Sequence, residues 1–563
     1  MGETSPEIYQ RSLHSSNTSQ YDHEKSLEEP SSPNDEPDTV ERTVTTGSIK
    51  YPPMKKIIPI MLSLYIAIFL VALDRLIVAT ATPKITDEFH SINDIGWYGS
   101  AYMLTSSASQ LVYGRIYTFY PAKWVFLISI LVFEIGSAVC GAAPSSVALI
   151  IGRAVAGLGT GGIAAGLVLI IVLTVPLEQR PIFQGLNGAV FGIASVLGPI
   201  LGGVFTTNVS WRWCFYINLP FGGLAMIAIF FLLDVPPPKA GNFTLKEKLI
   251  QLDPIGNLFL MPSVVCLLLA LEWGGVTYAW GSWRIILLFV LFGVLAIIFV
   301  ASQIRRGERA LVPPRIFTQR SVLAGVAWTM CLSAGMMVML YYLPIWFQAI
   351  KNVDAEKSGI MNLPLVLAMV VGGISAGVAV TKFGYYNPFL YAGVILLSIG
   401  AGLIYTFTPT TGHSKWIGYQ FIYGLGLGFG FQQANVAVQT CLPPADVAVG
   451  ASLLMFSQQL NGAVFLAIAQ TLFNNFLNEN LASVPGVDAA KIIAAGATTL
   501  REYVPDSKLD AVLDGYSDAI TRTVILAITM SCLALFPAFF FEWKSVKKDA
   551  HKKTQKQDGE SQA

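Results

Sequence analysis

Four charged residues stand inside long apolar stretches of this chain: Asp74, Arg75, Glu134 and Arg153. Holding a charge at the centre of a hydrocarbon layer costs about 2.5–3.5 kcal/mol or more, so such residues are functional candidates by default. A carboxylate beside a guanidinium can gain or lose its proton as the pair separates. The chemistry these residue types allow is therefore proton uptake and release tied to movement. At about 1.5 Å of helix per residue, Asp74, Glu134 and Arg153 fall at similar depth, in the outer half of their stretches. Asp74 is the first candidate to carry the proton and Glu134 the second, with Arg153 tuning the acid. Arg75 could reach outward instead. A static buried pair that only fixes helix packing is the competing reading.

Other patterns suit movement and binding. LNGAVF occurs at 186–191 and again at 460–465, and only the first copy runs on into GIASVLGPILGG. There Gly198, Gly202 and Gly203 strip a helix face of side chains, while Pro199 removes a backbone hydrogen bond and invites a bend. Gly188 and Gly192 read as plain helix packing. Tyr102, Ser106, Ser109, Gln110 and Tyr113 recur at helical spacing, as a stripe facing water or substrate would. Tyr342 and Trp346, with Tyr341 and Gln348, and Gln432 and Gln433, with Tyr423 and Asn435, extend this candidate cavity. Aromatics among amides suit a large amphipathic molecule, uncharged or weakly cationic. Interhelical hydrogen bonds and interfacial aromatic anchors are the alternative. A short basic loop, GRIYTFYPAK, carries Gly114, Arg115 and Lys123.

Several chemistries find no residues. No GxxxxGK loop followed by Ser or Thr appears, so ATP is not the expected energy source, and HExxH is absent. GLGTGG lies inside an apolar span with no strand before it, unlike a dinucleotide loop. The six cysteines form no CxxC pair and none of the five histidines falls in an apolar run, so no metal is expected. The 36 Lys+Arg against 35 Asp+Glu give no field to attract nucleic acid.

The elements that must position these residues are membrane helices. The 563 residues are 53% hydrophobic and 13% charged, whereas soluble domains carry about 25% charged residues. Stretches such as 283–303 are long enough to span a hydrocarbon layer of about 30 Å. Apolar runs predict about fourteen helices, at 57–81, 97–117, 123–143, 147–172, 182–206, 215–234, 254–272, 284–303, 321–348, 359–381, 387–408, 416–439, 447–473 and 522–541. Pro236–Pro238 and Pro262 interrupt the sixth and seventh. Lys55, Lys56, Arg115, Lys123, Arg305, Arg306, Arg309, Arg315, Arg320, Lys544 and Lys547 all fall on one side, which places both termini in the cytoplasm. The outer loop 474–521 is long and acidic, residues 1–50 read as disordered, and the N-terminus lacks a signal peptide. Asn208 opens an Asn-Val-Ser glycosylation triplet close to the membrane.

The helices before the two LNGAVF copies also match: GRAVAGLGTGG at 152–162 against GYQFIYGLGLGFG at 418–430, with Gln420 standing where Arg153 stands. Two consecutive helices recurring together argue for an internal duplication, a common origin of transporters that bind substrate between repeats. The chain resembles the major facilitator superfamily, in particular its fungal fourteen-helix drug:proton antiporter group. The resemblance rests on LDRLIVATATPKI (73–85), GRIYTFYPAK (114–123), GRAVAGLGTGG, GPILGG (198–203), WRWCFYINLP (211–220) and LALEWGG (269–275). It implies an all-α integral membrane protein with two pseudo-symmetric six-helix bundles (51–235 and 321–541), two extra helices in the segment 236–320, and a basic tail at 542–563. It also implies that the Gly198-Pro199 pair is the antiporter motif of exporters, that Arg153 is tied to proton coupling, and that Asp74 is a signature residue. Thr118 departs from the family, which commonly has Asp there in a loop that latches the halves.

The expected function is proton-coupled export of a drug, toxin or secondary metabolite by a plasma-membrane monomer, driven by the proton gradient without a cofactor. A siderophore importer or vacuolar basic amino acid carrier is the alternative within the family. A non-transporting membrane sensor or scaffold is the alternative outside it, and a membrane enzyme would lack any catalytic constellation.

Overall fold

The computed structural model describes residues 51–547 except 92–93, 236–243, 245–246, 248–249, 276, 483, 486–499 and 502–503. The expected disordered tail, the proline run 236–238 and the chain beyond 547 lie outside the described residues.

Long apolar runs form helices because a helix satisfies its own backbone hydrogen bonds where no water can. In chain order they are α1 (Met54–Phe89), α2 (Ile95–Phe119), α3 (Ala122–Gly141), α4 (Ser146–Thr174), α5 (Arg180–Asn208), α6 (Asn218–Leu232), α7 (Pro254–Trp273), α8 (Trp283–Arg306), α9 (Arg320–Lys351), α10 (Leu363–Phe383), α11 (Asn387–Tyr405), α12 (His413–Phe431), α13 (Val447–Ala482) and α14 (Asp506–Leu533). Short helical segments flank α6, α10, α12 and α14, the one after α12 being Gln433–Cys441. Among the described residues, 12 helices are long and apolar enough to cross a membrane. The long helices α2 and α12 fall short of that hydropathy, yet both sit inside the bundle: α2 runs along α4 and α13, and α12 along α10 and α11.

Three expected boundaries are corrected. The first helix does not stop at 81 but continues through Pro83 to Phe89, where His90 turns left-handed (φ 50°) and caps the Thr86 carbonyl. The twelfth breaks at Gln432, between α12 and the short segment. Most of the described part of the loop 474–521 is helical: α13 extends to Ala482, and α14 starts at Asp506 rather than 522. Val512, Tyr516, Ala519 and Ile520 bury one face of α14 while Asp510, Asp514 and Asp518 take the other. The acidic residues had disguised an amphipathic helix as a loop.

The packing repeats. In the first six helices α3 lies on α4, α2 on α4, α1 on α5 and α1 on α6; in the last six α11 lies on α12, α10 on α12, α9 on α13 and α9 on α14. Exchanging the sets turns the α5–α10 contact into the α13–α2 contact, and these are the main seams between them. Both seams are tight near the terminal face, the end where α1 begins. A Cβ on Gly185 would lie 2.5 Å from the Gly373 carbonyl oxygen, and one on Gly114 2.8 Å from Ser452 Oγ. The pair α7–α8 lies outside, with α7 against α2 and α13. Ile286, Val290, Ile297 and Ile304 on α8 are exposed, as residues facing acyl chains would be.

Candidate functional site

Asp74 on α1 and Arg153 on α4 form an ion pair at 2.5 Å, at 0% and 1% exposure. Each is held by further bonds. Arg153 Nε donates to the Tyr98 carbonyl at 2.8 Å, and its guanidinium lies 4.3 Å from the centre of the Tyr102 ring. Asn218 on α6 donates to Asp74 Oδ1 at 3.2 Å and to Ser137 Oγ on α3 at 3.1 Å. Three helices thus meet at one carboxylate, and α3 joins them through Asn218. Glu134 lies one turn before Ser137 on α3, facing Gly222, one turn after Asn218 on α6. It is buried, and neither carboxylate oxygen has a hydrogen-bond partner. The pair and Glu134 are therefore about one helical turn apart, roughly 5 Å. Asp74 lies within the first six helices, not in the seam between the two sets.

Gln420 occupies the place of Arg153 in the second set. It is fully buried, and its Nε2 donates to the Met361 carbonyl at 3.1 Å, just before α10, as Arg153 does to Tyr98 near the start of α2. The backbone-capping role is shared; the charge belongs to the first set.

The same asymmetry marks the glycine motif. A Cβ on Gly198 would come within 3.0 Å of Leu76 Cβ, and one on Gly202 within 1.9 Å of Thr80 Oγ1, so this face lets α5 lie directly on α1. Gly203 faces open space, as Gly188 does, while Gly192 packs on Val370 of α10. Pro199 lies inside α5 and leaves the Ser195 carbonyl without its helical donor. Counting from LNGAVF, the second copy has Phe473 in place of Pro199, and that ring packs 5.4 Å from Tyr342 on α9. One seam is stripped of side chains; its counterpart is wedged.

The predicted cavity residues separate. Tyr102 hydrogen-bonds Thr160 at 2.6 Å beneath Arg153, and a Cβ on Gly161 of α4 would lie 3.2 Å from the Ser106 carbonyl. Tyr102 is packed against α4 and turned from the seam between the sets, while Ser106 is buried with its hydroxyl unpartnered. Tyr342 and Trp346 are both buried inside the second set, Trp346 donating to Ser517 at 3.0 Å. Spacing identified a polar stripe but not which helix it would face. Gln110 does face the other set, donating to Met455 Sδ of α13 at 3.4 Å. Gln432 accepts from Asn435 at 3.2 Å, and the Gln433 side-chain oxygen is buried without a partner. Asn435, Met455, Gln458, Thr329 and Ser333 line a small void. Arg75, left open by sequence, donates to Gln459 Oε1 of α13 at 3.0 Å. Asn208 is exposed at the end of α5. Among the described residues no group of three or more His, Cys, Asp or Glu could hold a metal.

On the terminal face, Arg115 donates to the carbonyls of Gln251 and Glu308 at 3.3 and 3.1 Å. Asp253 is fully buried and accepts from Gln303 at 2.6 Å and Leu311 N at 3.0 Å while pairing with Arg306 at 2.9 Å. Arg315 bridges Glu308 at 3.1 Å and Asp446, just before α13, at 2.9 Å. These two carboxylates strengthen the hold of the exposed Arg315 guanidinium on its proton. This network, absent from the sequence reading, ties α2 to α13 through the α7–α8 segment. Lys123 does not join it and lies over the Phe230 ring at 5.2 Å.

The sequence profile of the Major Facilitator Superfamily matches residues 64–466. The chain belongs to the Major Facilitator Superfamily. It is 52% identical to the MFS-type transporter VdtG of Byssochlamys spectabilis, over 89% of this chain and 90% of that one. It is 51% identical to the MFS-type efflux pump MFS1 of Arthroderma benhamiae (87% and 92% covered), and 49% identical to the rubrofusarin-specific efflux pump aurT of Gibberella zeae (88% and 91% covered). The superfamily's fold appears in the solved proton:xylose symporter XylE bound to 6-bromo-6-deoxy-D-glucose, with a TM-score of 0.55 at 14% identity, covering 86% of this chain and 95% of that one. As a superfamily member the protein is a multi-pass membrane transporter of small molecules, not an enzyme. Its relatives place it among efflux pumps. Arg115 finds backbone carbonyls as partners, and Thr118 of the same loop donates to the Gly114 carbonyl at 3.1 Å.

Proposed function

We propose that the protein is a proton-coupled antiporter that exports small amphipathic organic compounds across the plasma membrane by alternating access. The observation that carries this reading is the fully buried Asp74–Arg153 pair beside the glycine-lined α1–α5 seam. A proton arriving at Asp74 neutralises the carboxylate and removes the charge that holds Arg153. The freed guanidinium keeps its bond to the Tyr98 carbonyl and its place over Tyr102, so the change falls on α1. Because α1 meets α5 across glycine, a shift of α1 reaches the α5–α10 seam with little side-chain resistance. The proton then leaves to the cytoplasm as the pair closes again. Glu134, beyond Asn218 and Ser137, is the second stop for the proton.

The packing exchange between α1–α6 and α9–α14 supports two six-helix bundles, with α7 and α8 as the inserted pair. The burial of α2 and α12 between apolar neighbours supports their crossing too, for fourteen spans with both termini in the cytoplasm. The protein works as a monomer, without ATP.

Membrane vesicles carrying the wild-type chain should take up a fluorescent amphipathic dye only when the imposed pH gradient is present. Asp74→Asn should stop that uptake. So should Asp74→Asn with Arg153→Gln, which copies the neutral arrangement around Gln420 and guards against misfolding. Gradient-independent uptake, or dye movement in the same direction as protons, would refute antiport.

A further inference from the structure

Arg75 follows Asp74 directly on α1, and the turn of the helix sends the two side chains to different neighbours. Asp74 faces Arg153 inside the first six helices, whereas Arg75 reaches α13 in the other set and donates to Gln459 at 3.0 Å. Gln459 neighbours Gln458, which lines the small void between α9, α12 and α13. Gln110 comes to the same stretch of α13 from α2. Among the described residues Arg75 has no carboxylate partner in an ion pair.

The charge balance of the surrounding helices decides what this cation awaits. Along α2, α4, α5, α9, α10 and α12 there is no Asp or Glu; α13 carries only Glu479, near its distal end. On α1 the acids are Asp74, already paired, with Asp87 and Glu88 near the distal end. The acid of the neighbouring α7, Glu272, is engaged by Ser100 of α2 at 2.8 Å, so among the described residues the region between the sets offers one guanidinium, several amides and no unpartnered acid. A cationic guest would meet repulsion there, and a neutral one would leave a desolvated charge held by one amide oxygen. A guest with a negatively charged oxygen satisfies the guanidinium and can accept from the Gln459 amide once it turns.

Building on the export reading, we propose that Arg75 and Gln459 form the recognition site for an acidic oxygen of the exported molecule. The substrate class is then weak organic acids bearing a phenolate, enolate or carboxylate on an amphipathic body. This replaces the neutral or cationic guest expected from the aromatic residues, because Tyr342 and Trp346 are packed away from the region.

The test is equilibrium binding to the purified full chain in lipid nanodiscs, using three dyes on one ring skeleton: fluorescein, its methyl ester methyl ether, and cationic rhodamine 123. Wild type should bind fluorescein about tenfold or more tighter than either other dye, the ratio expected for a charge-assisted hydrogen bond. Arg75→Gln should erase that preference while keeping the affinity for the neutral dye, and Arg75→Lys should restore part of it. If Arg75→Gln does not fold, Gln459→Leu should weaken fluorescein alone, by severalfold. Equal binding of the three dyes, preference for the cation, or a preference that survives Arg75→Gln overturns the proposal. Because binding needs no gradient, an acid preference without pH-driven flux sinks only the export reading, and flux without acid preference sinks only this one.

Discussion

Arg153 and Gln420 show what the two sets of helices share and where they differ. Both are buried and both cap a backbone carbonyl near the start of a neighbouring helix, but only Arg153 also holds an acid. Removing one partner of a buried pair strands the other charge, at a cost of about 3–5 kcal/mol. Asp74→Asn should therefore unfold at a clearly lower temperature than wild type, and adding Arg153→Gln should recover most of the loss; thermal unfolding in detergent checks this. An unchanged single variant would mean that the pair stores no strain. Such charges were legible in sequence because any charge stands out against an apolar background. The direction of Tyr102 was not, since helical spacing fixes a face but leaves open whether cleft or glycines cover it. Arg75 stayed open for the same reason: its partner lies 384 positions away.

Among elements, α5 carries the sharpest contrast. Gly202 and Gly203 are adjacent, yet only Gly202 touches α1. Gly202→Val should push the helices apart and cut transport at least tenfold, while Gly203→Ala should leave transport within about twofold, since nothing crowds its Cβ. Equal effects would show that the motif acts through backbone flexibility and not close approach. The terminal-face clasp makes a second prediction. In a background without native cysteines, a cysteine replacing the buried Ser452 should react several times faster with a water-soluble maleimide once Arg315→Gln frees Asp446. At the opposite end, beyond the apolar span that ends at Val78, the Trp211 indole donates to Glu88 at 2.6 Å and, with Arg212, holds its carboxyl below the usual range. This tie adds stability above the ordinary carboxylate range and loses it only as pH falls through the lowered value. Glu88→Gln should therefore flatten the acid limb of the unfolding profile. The helices themselves were readable from apolar runs, but α14 was not, because its aspartates hid an amphipathic face. The clasp was unreadable, since it joins carbonyls and side chains from four distant segments.

At the scale of the whole molecule, two sets of helices share a packing plan and differ where it matters for movement. The first has an ion pair and a glycine seam; the second has Gln420 and a Phe473–Tyr342 wedge. On the proposed reading, the half that can shift would rock against the stiffer one about a guest held between them. The most direct measurement is proton flux itself, read by a pH dye inside liposomes while a second dye is driven across by its own concentration gradient. Wild type should show proton movement opposite to the guest and in proportion to it. The variant Asp74→Asn with Arg153→Gln should pass the guest downhill with no proton movement. Proton flux undiminished in that variant would contradict the account.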